Sequence, residues 1–194
     1  MPLPMLGEAL PARGNRLSRG LGKTILRGLG WDFEGEIPNL SKMVVIAAPH
    51  TSNWDFVVAI ATVLALGLQV HWIGKHTIFR PPFGWLMRWL GGTPVDRSKR
   101  HGLVAQVVAL FVQHERFVFG VAPEGTRKRV DRWKTGFYHV AVGAQAPILP
   151  AYLDFPRKRV GVGPLVTPSG DLEADMQTIQ TFYAQFTGKN PEQF

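Results

Sequence analysis

MVVIAAPHTSNWDF, residues 43–56, is the stretch on which the reading of this chain turns. Residues 43–48 form an apolar run of strand length that stops at Pro49, as a buried strand does. Ser52-Asn53-Trp54-Asp55 then precedes a second apolar run. A hydroxyl three places ahead of an acid, at the head of such a run, matches a helix capping box, with Ser52 as N-cap and Asp55 near the third helical position. The stretch reads strand, turn, helix. His50 and Asp55 stand five residues apart. On one continuous helix they would lie about 140° apart and would not face each other. With His50 on the turn and Asp55 in the first helical turn they can meet, as a base and its orienting carboxylate with no nucleophile beside them. Taken alone, Asp55 reads equally as a cap, and His50 as a structural or exposed histidine. The two roles of Asp55 are compatible, since one carboxylate can bind backbone N–H and imidazole together.

Outward from this unit the pattern repeats. Strand-like segments at 43–48, 70–74, 93–95, 117–121, 148–153 and 160–166 alternate with helix-like segments at 56–66, 84–90, 103–114, 137–143 and 172–186. Such alternation predicts an α/β fold: a single domain with a largely parallel, mixed sheet flanked by helices. A length of 194 residues suits one domain with a sizeable core. Residues 1–30 differ, being rich in Gly, Arg and Leu. At ~100° per residue Leu17, Leu21, Ile25 and Leu29 make one stripe, with Arg16, Arg19, Lys23 and Arg27 on the other side. A basic amphipathic N-terminal helix of this kind suits an anionic bilayer surface. Its plainer reading is a helix packed on the domain with a solvated basic face. Gly20, Gly22 and Gly28 each cost up to ~1 kcal/mol of helix propensity in either reading.

The net charge of +8 and pI near 10.2 call for an anionic partner: nucleic acid, anionic lipid or a phosphorylated substrate. No nucleic-acid motif is present. The absence of cysteine excludes disulfides, thiolate nucleophiles and cysteine zinc sites, and the spacing of the histidines compels no metal site. No segment reaches the ~18 apolar residues of a membrane span, and the first residues do not resemble a signal peptide. We therefore expect a cytoplasmic protein, free or lying on a membrane.

The distinctive residues fall where strands end. His50 follows the first strand, Lys75 the second, Arg97 the third, and Glu124 with Arg127 the fourth. Open α/β sheets bind ligands beyond the carboxyl ends of their strands, so four segments would bring a base, an acid and several cations to one edge. Pro123-Glu124-Gly125-Thr126-Arg127 reads simply as a turn with a surface ion pair. In its sharper reading Gly125 allows close backbone approach, Thr126 offers a hydroxyl and Arg127 grips a phosphate bidentately. Arg97, in Gly91-Gly92-Thr93-Pro94-Val95-Asp96-Arg97, reads alone as a surface arginine. Residues 79–90 hold Phe79, Phe83, Trp85, Leu86, Met87, Trp89 and Leu90. They read as core, or as an interfacial segment or the wall of an acyl pocket.

Together these blocks resemble the glycerophospholipid acyltransferase family, which includes the 1-acyl-glycerol-3-phosphate acyltransferases. Its His-x4-Asp motif is matched by His50 and Asp55, with Ser52 at its usual place. Its Gly-rich approach to an arginine resembles 91–97. Its Phe-Pro-Glu-Gly-Thr-Arg-Ser motif is matched at 123–127, and its apolar strand with a proline resembles 147–152. Pro49, Ala122 and Lys128 depart from the usual Asn, Phe and Ser. The resemblance implies transfer of a fatty acyl group from acyl-CoA or acyl carrier protein to a lysophospholipid hydroxyl, with no further cofactor. His50 would take the proton from that hydroxyl, a task suited to an imidazole with an ordinary pKa of ~6.5, and Asp55 would fix its tautomer. Arg97 and Arg127 would hold the acceptor's phosphate, Glu124 would orient its hydroxyls or those arginines, and Lys75 would join the same patch. Residues 31–194 would be the acyltransferase domain and 1–30 a membrane-associating segment, placing the protein on the inner face of the cell membrane. A hydrolase of acyl esters or thioesters and a non-enzymatic basic lipid-binding module are the alternatives.

Overall fold

A computed structural model describes residues 3–95 and 102–194. Its elements, in chain order, are α1 (Arg16–Leu29), β1 (Asp32–Glu34), β2 (Lys42–Ala48), α2 (Asn53–Leu66), β3 (His71–Lys75), α3 (Gly84–Trp89), β4 (Gly92–Val95), α4 (Leu103–Gln113), β5 (Phe117–Val121), α5 (Gly136–Ala144), β6 (Ile148–Asp154), β7 (Arg159–Val162) and α6 (Leu172–Tyr183). The strands form one seven-stranded sheet in the order β1-β7-β6-β2-β5-β3-β4, parallel at every pairing except β6 with β7. The expected α/β domain with its largely parallel mixed sheet is what the chain adopts.

β2 lies between β5 and β6, and its apolar run is explained by cover on both sides. Val44, Ile46 and Ala48 share one core with Val107 and Phe111 of α4, Phe137 and Ala141 of α5, and Ile179 and Tyr183 of α6. Met43 faces the other way, into the layer of Leu66, Val118 and Leu149. A period of two along a strand sends neighbouring side chains to opposite faces, so a strand covered twice must be apolar throughout. Tyr183 is fully buried, and its hydroxyl lies 2.6 Å from Ile46 O and 3.0 Å from Ala151 O, donating to these carbonyls of neighbouring strands. That satisfies a polar group which would be costly to bury unpaired.

Two elements differ from the sequence expectation. β1 is a short polar edge strand that no hydrophobic pattern announces. Arg159 of β7 holds it, with Nη1 2.8 Å from Asp32 Oδ2 and Nε 3.1 Å from Glu34 Oε1. β7 stops at Val162, before Gly163-Pro164, and Val166 returns only as an isolated bridge to Ile148. A proline has no N–H for a ladder, so the strand breaks there.

α1 forms as expected, and its glycines and leucines divide between two faces. Gly22 and Leu26 are its buried residues, while Leu17 and Leu21 remain exposed. A methyl group on Gly22 would sit 2.5 Å from Ala65 N and 2.6 Å from Ala61 O. The glycine that weakens α1 as an isolated helix is what lets it lie directly on α2. Among the described residues, no helix is long and apolar enough to cross a membrane.

Candidate active site

The turn after β2 is built from its own residues. Ser52 is the N-cap of α2 and its Oγ accepts from Trp54 N at 3.1 Å. Asp55 closes the box, its Oδ2 accepting from Ser52 N and its Oδ1 from Ser52 Oγ, each at 2.7 Å. The same Oδ2 lies 3.3 Å from His50 Nδ1. Capping and orientation are therefore served by one carboxylate at once. Asp55 is only 2% exposed. Burial pushes its carboxyl up, but the bonds from His50 and Ser52 outweigh that and hold it below the ordinary aspartate value. An ionised Asp55 keeps a proton on His50 Nδ1, leaving Nε2 as the lone-pair nitrogen of a partly exposed ring.

The turn after β5 joins this one. β5 pairs with β2 in parallel, Ile46 opposite Val121, so the two chain ends leave the sheet side by side. Glu124 is 2% exposed, and its Oε1 accepts the backbone N–H of His50 at 2.8 Å. Its Oε2 has no hydrogen-bond partner among the described residues. Burial raises the Glu124 carboxyl to about 7, helped by the charge of Asp55 and opposed by the bond from His50. Through its bond to His50, Glu124 fixes the main chain of the base, a role additional to the one implied for it, orienting arginines or acceptor hydroxyls. It also lines a cleft of about 340 Å³ with Trp133, Gln193 and Phe194.

Gly125 has φ +66°, a left-handed conformation that favours glycine, and a methyl group there would sit 2.5 Å from Lys134 Nζ. Lys134 N also donates to Pro123 O at 2.9 Å. Lys134 thus belongs to this turn, although in the sequence it is only the end of a basic run. Thr126 Oγ1 accepts from Lys128 N at 3.3 Å, and the Arg127 side chain is exposed. Lys75 is exposed at the end of β3, on the same sheet edge but beyond β5 from His50. Arg97 lies outside the described residues.

Residues 79–90 divide between the two readings made of them. Phe79 and Leu90 are buried, whereas Phe83, Trp85 and Trp89 are exposed, Trp85 by 69%. Arg13 lies over the Trp89 ring at 4.7 Å. His71, His114 and Phe117 stack on one another, and no group of metal-ligand residues occurs among the described residues.

A family model described as Acyltransferase matches residues 32–154. The 1-acyl-sn-glycerol-3-phosphate acyltransferase of Escherichia coli strain K12 is 31% identical over 128 residues, 62% of this chain and 51% of that protein. The enzyme of the same name from Haemophilus influenzae is 28% identical over 131 residues, 62% of this chain and 53% of that one. The chain spans about half the length of these curated relatives. The crystal structure of the 1-acyl-sn-glycerophosphate (LPA) acyltransferase PlsC from Thermotoga maritima shares the fold, with a TM-score of 0.61 at 21% identity, covering 89% of this chain and 81% of that one.

Proposed function

Since this chain belongs to the Acyltransferase family, we propose that it moves a fatty acyl group from acyl-CoA or acyl carrier protein to the hydroxyl of a lysophospholipid-type acceptor, such as 1-acyl-glycerol-3-phosphate, in phospholipid biosynthesis. The observation that carries this reading is the His50 Nδ1 to Asp55 Oδ2 approach of 3.3 Å at the end of the central strand, with the imidazole partly exposed. Nε2 takes the proton of the acceptor hydroxyl as its oxygen attacks the thioester carbonyl. The tetrahedral adduct collapses, the C–S bond breaks, and the imidazolium returns the proton to the departing thiolate. Asp55 stabilises the imidazolium while it lasts. The nucleophile comes with the substrate, so no acyl-enzyme is needed. Arg127 and Arg97 are proposed to bind the acceptor phosphate, a task to which a bidentate guanidinium is suited.

The acceptor and product are lipids, and we place the chain as a peripheral protein on the inner face of the cell membrane. Leu17 and Leu21 of α1 and Phe83, Trp85 and Trp89 around α3 are large apolar side chains left in solvent. Arg13, Arg16, Arg80 and Arg88 stand among them in the sequence. Tryptophan beside arginine suits the headgroup boundary of an anionic bilayer.

The test is release of free CoA thiol from acyl-CoA by the purified chain, across a panel of lysolipid acceptors. Acceptor-dependent release with lysophosphatidate supports the proposal, whereas release that ignores every lysolipid would make the protein a thioester hydrolase. Trp85→Ala should weaken co-sedimentation with anionic liposomes several-fold and leave the fold unchanged. Undiminished binding would remove α3 from the membrane contact.

A further inference from the structure

Thr51 sits between His50 and Ser52 and is 1% exposed, yet the helix cap does not use its side chain. Its partners come from the far end of the chain. After α6, Thr187 O accepts from Phe155 N at 3.0 Å, which ties Thr187 to the turn between β6 and β7. Gly188 then passes under the catalytic turn so closely that a methyl group on it would lie 2.6 Å from Thr51 Oγ1 and 3.1 Å from Pro49 Cβ. Asn190 follows and makes two bonds to the one residue. Its backbone N–H donates to Thr51 Oγ1 at 3.2 Å and its Nδ2 donates to Thr51 O at 2.8 Å. Gln193, with its amide nitrogen turned toward the carbonyls, donates to Thr51 O at 2.9 Å and to Arg127 O. Lys189 Nζ lies 4.9 Å from the centre of the Trp54 ring, on the other flank of the turn.

From this we propose that Asn190 is a positioning residue for the His50–Asp55 pair, acting through Thr51, and that Gln193 ties the same peptide to the turn that carries Arg127. The inference rests on the acyl-transfer reading only for its kinetic consequence. His50 is then held on both sides, by Glu124 on its own N–H and by Asn190 on the following residue. The contact it protects is long, 3.3 Å from Nδ1 to Oδ2, so a small swing of the turn separates base from carboxylate. Misplacement of a reacting group by about 1 Å costs on the order of 10²-fold in rate. A partial loosening should cost about tenfold. Asn190 bonds Thr51 rather than His50 or Asp55, so its loss should lower kcat and spare KM.

The experiment uses the full chain with acyl-CoA and lysophosphatidate, together with hydrogen exchange of single amides. Asn190→Ala removes the side-chain donor, and Asn190→Asp keeps its shape without an N–H for the Thr51 carbonyl. Both should lower kcat about tenfold with KM within about twofold. In both, the Ser52 amide, which donates to Asp55, should exchange faster while the Val44 amide of β2 stays protected. Glu192→Ala, on an exposed neighbour, should match the unaltered chain. Wild-type kcat in Asn190→Asp, or loss of protection at Ser52 and Val44 together, would overturn the proposal. If the unaltered chain itself transfers no acyl group, the functional reading fails. The exchange of Ser52 still decides whether Asn190 holds the turn.

Discussion

The turns after β2 and β5 leave neighbouring parallel strands at the same sheet edge, yet their own side chains are spent differently. The first spends its side chains on itself: Ser52 and Asp55 close a capping box within four residues, and Asp55 reaches back to His50. The second is held from a distance. Lys134 secures Pro123, Gln193 reaches the carbonyl of Arg127, and Glu124 turns away from its own loop to grip His50. The self-wired turn caps its helix locally, and Glu124 and Asn190 then hold His50 and Thr51 from a distance. A remotely wired turn becomes rigid only once the sheet has assembled, and the bond from His50 to Glu124 makes the two one unit.

Substitutions can break this contrast, beginning with the largest effect. His50→Ala should cut acyl transfer by about 10³-fold or more, the upper range for losing a general base, with the chain still folded. Retained turnover would remove His50 from the chemistry. Asp55→Asn should cost about 10²-fold, because an amide neither fixes the Nδ1 proton nor stabilises an imidazolium. Full activity in that variant would reduce Asp55 to a cap.

The second turn should answer mainly to pH. The folded pKa of Glu124, about 7, is above that of an unfolded glutamate, so the folded chain binds the extra proton. Its contribution to stability is whole below the unfolded value of ~4.3 and is lost as pH rises through about 7. The span corresponds to at most about 4 kcal/mol. Denaturant titrations of Glu124→Gln should therefore show a flatter decline between about pH 5 and pH 8 than the unaltered chain. Identical slopes would mean that Glu124 ionises freely. Smallest should be Ser52→Ala, a loss of about 1 kcal/mol typical of an N-cap, read as a shift in the denaturation midpoint. A loss well above that would show that Ser52 also supports the neighbouring turn.

What was legible in the sequence follows the same division. Ser52 and Asp55 announce their bonds because the partners lie within one helical turn, and the strands β2 and β5 announce themselves as short apolar runs. β1 was not legible, since Asp32 and Glu34 are bound by Arg159, more than a hundred residues away. The packing face of α1 was not legible, because a leucine stripe outranks a glycine in any hydrophobic pattern, whereas close packing on α2 prefers Gly22. In residues 79–90 the aromatic count could not separate Phe79, buried under Trp72, from Trp85, left in solvent. Asn190 and Gln193 carried no signal at all, since a polar residue near a chain end looks the same whether or not it meets Thr51.

By itself the sequence determined the alternation of strands and helices, the cap on α2, and the spacing that lets His50 meet Asp55. These depend on side-chain period and on hydrogen bonds spanning a few residues, both written in neighbouring letters. Only the tertiary structure decided that Glu124 would hold the backbone of His50, that Asn190 would hold Thr51, and which face of α1 would be buried. Those contacts join residues 74 and 139 positions apart, and strand order and helix packing bring them together.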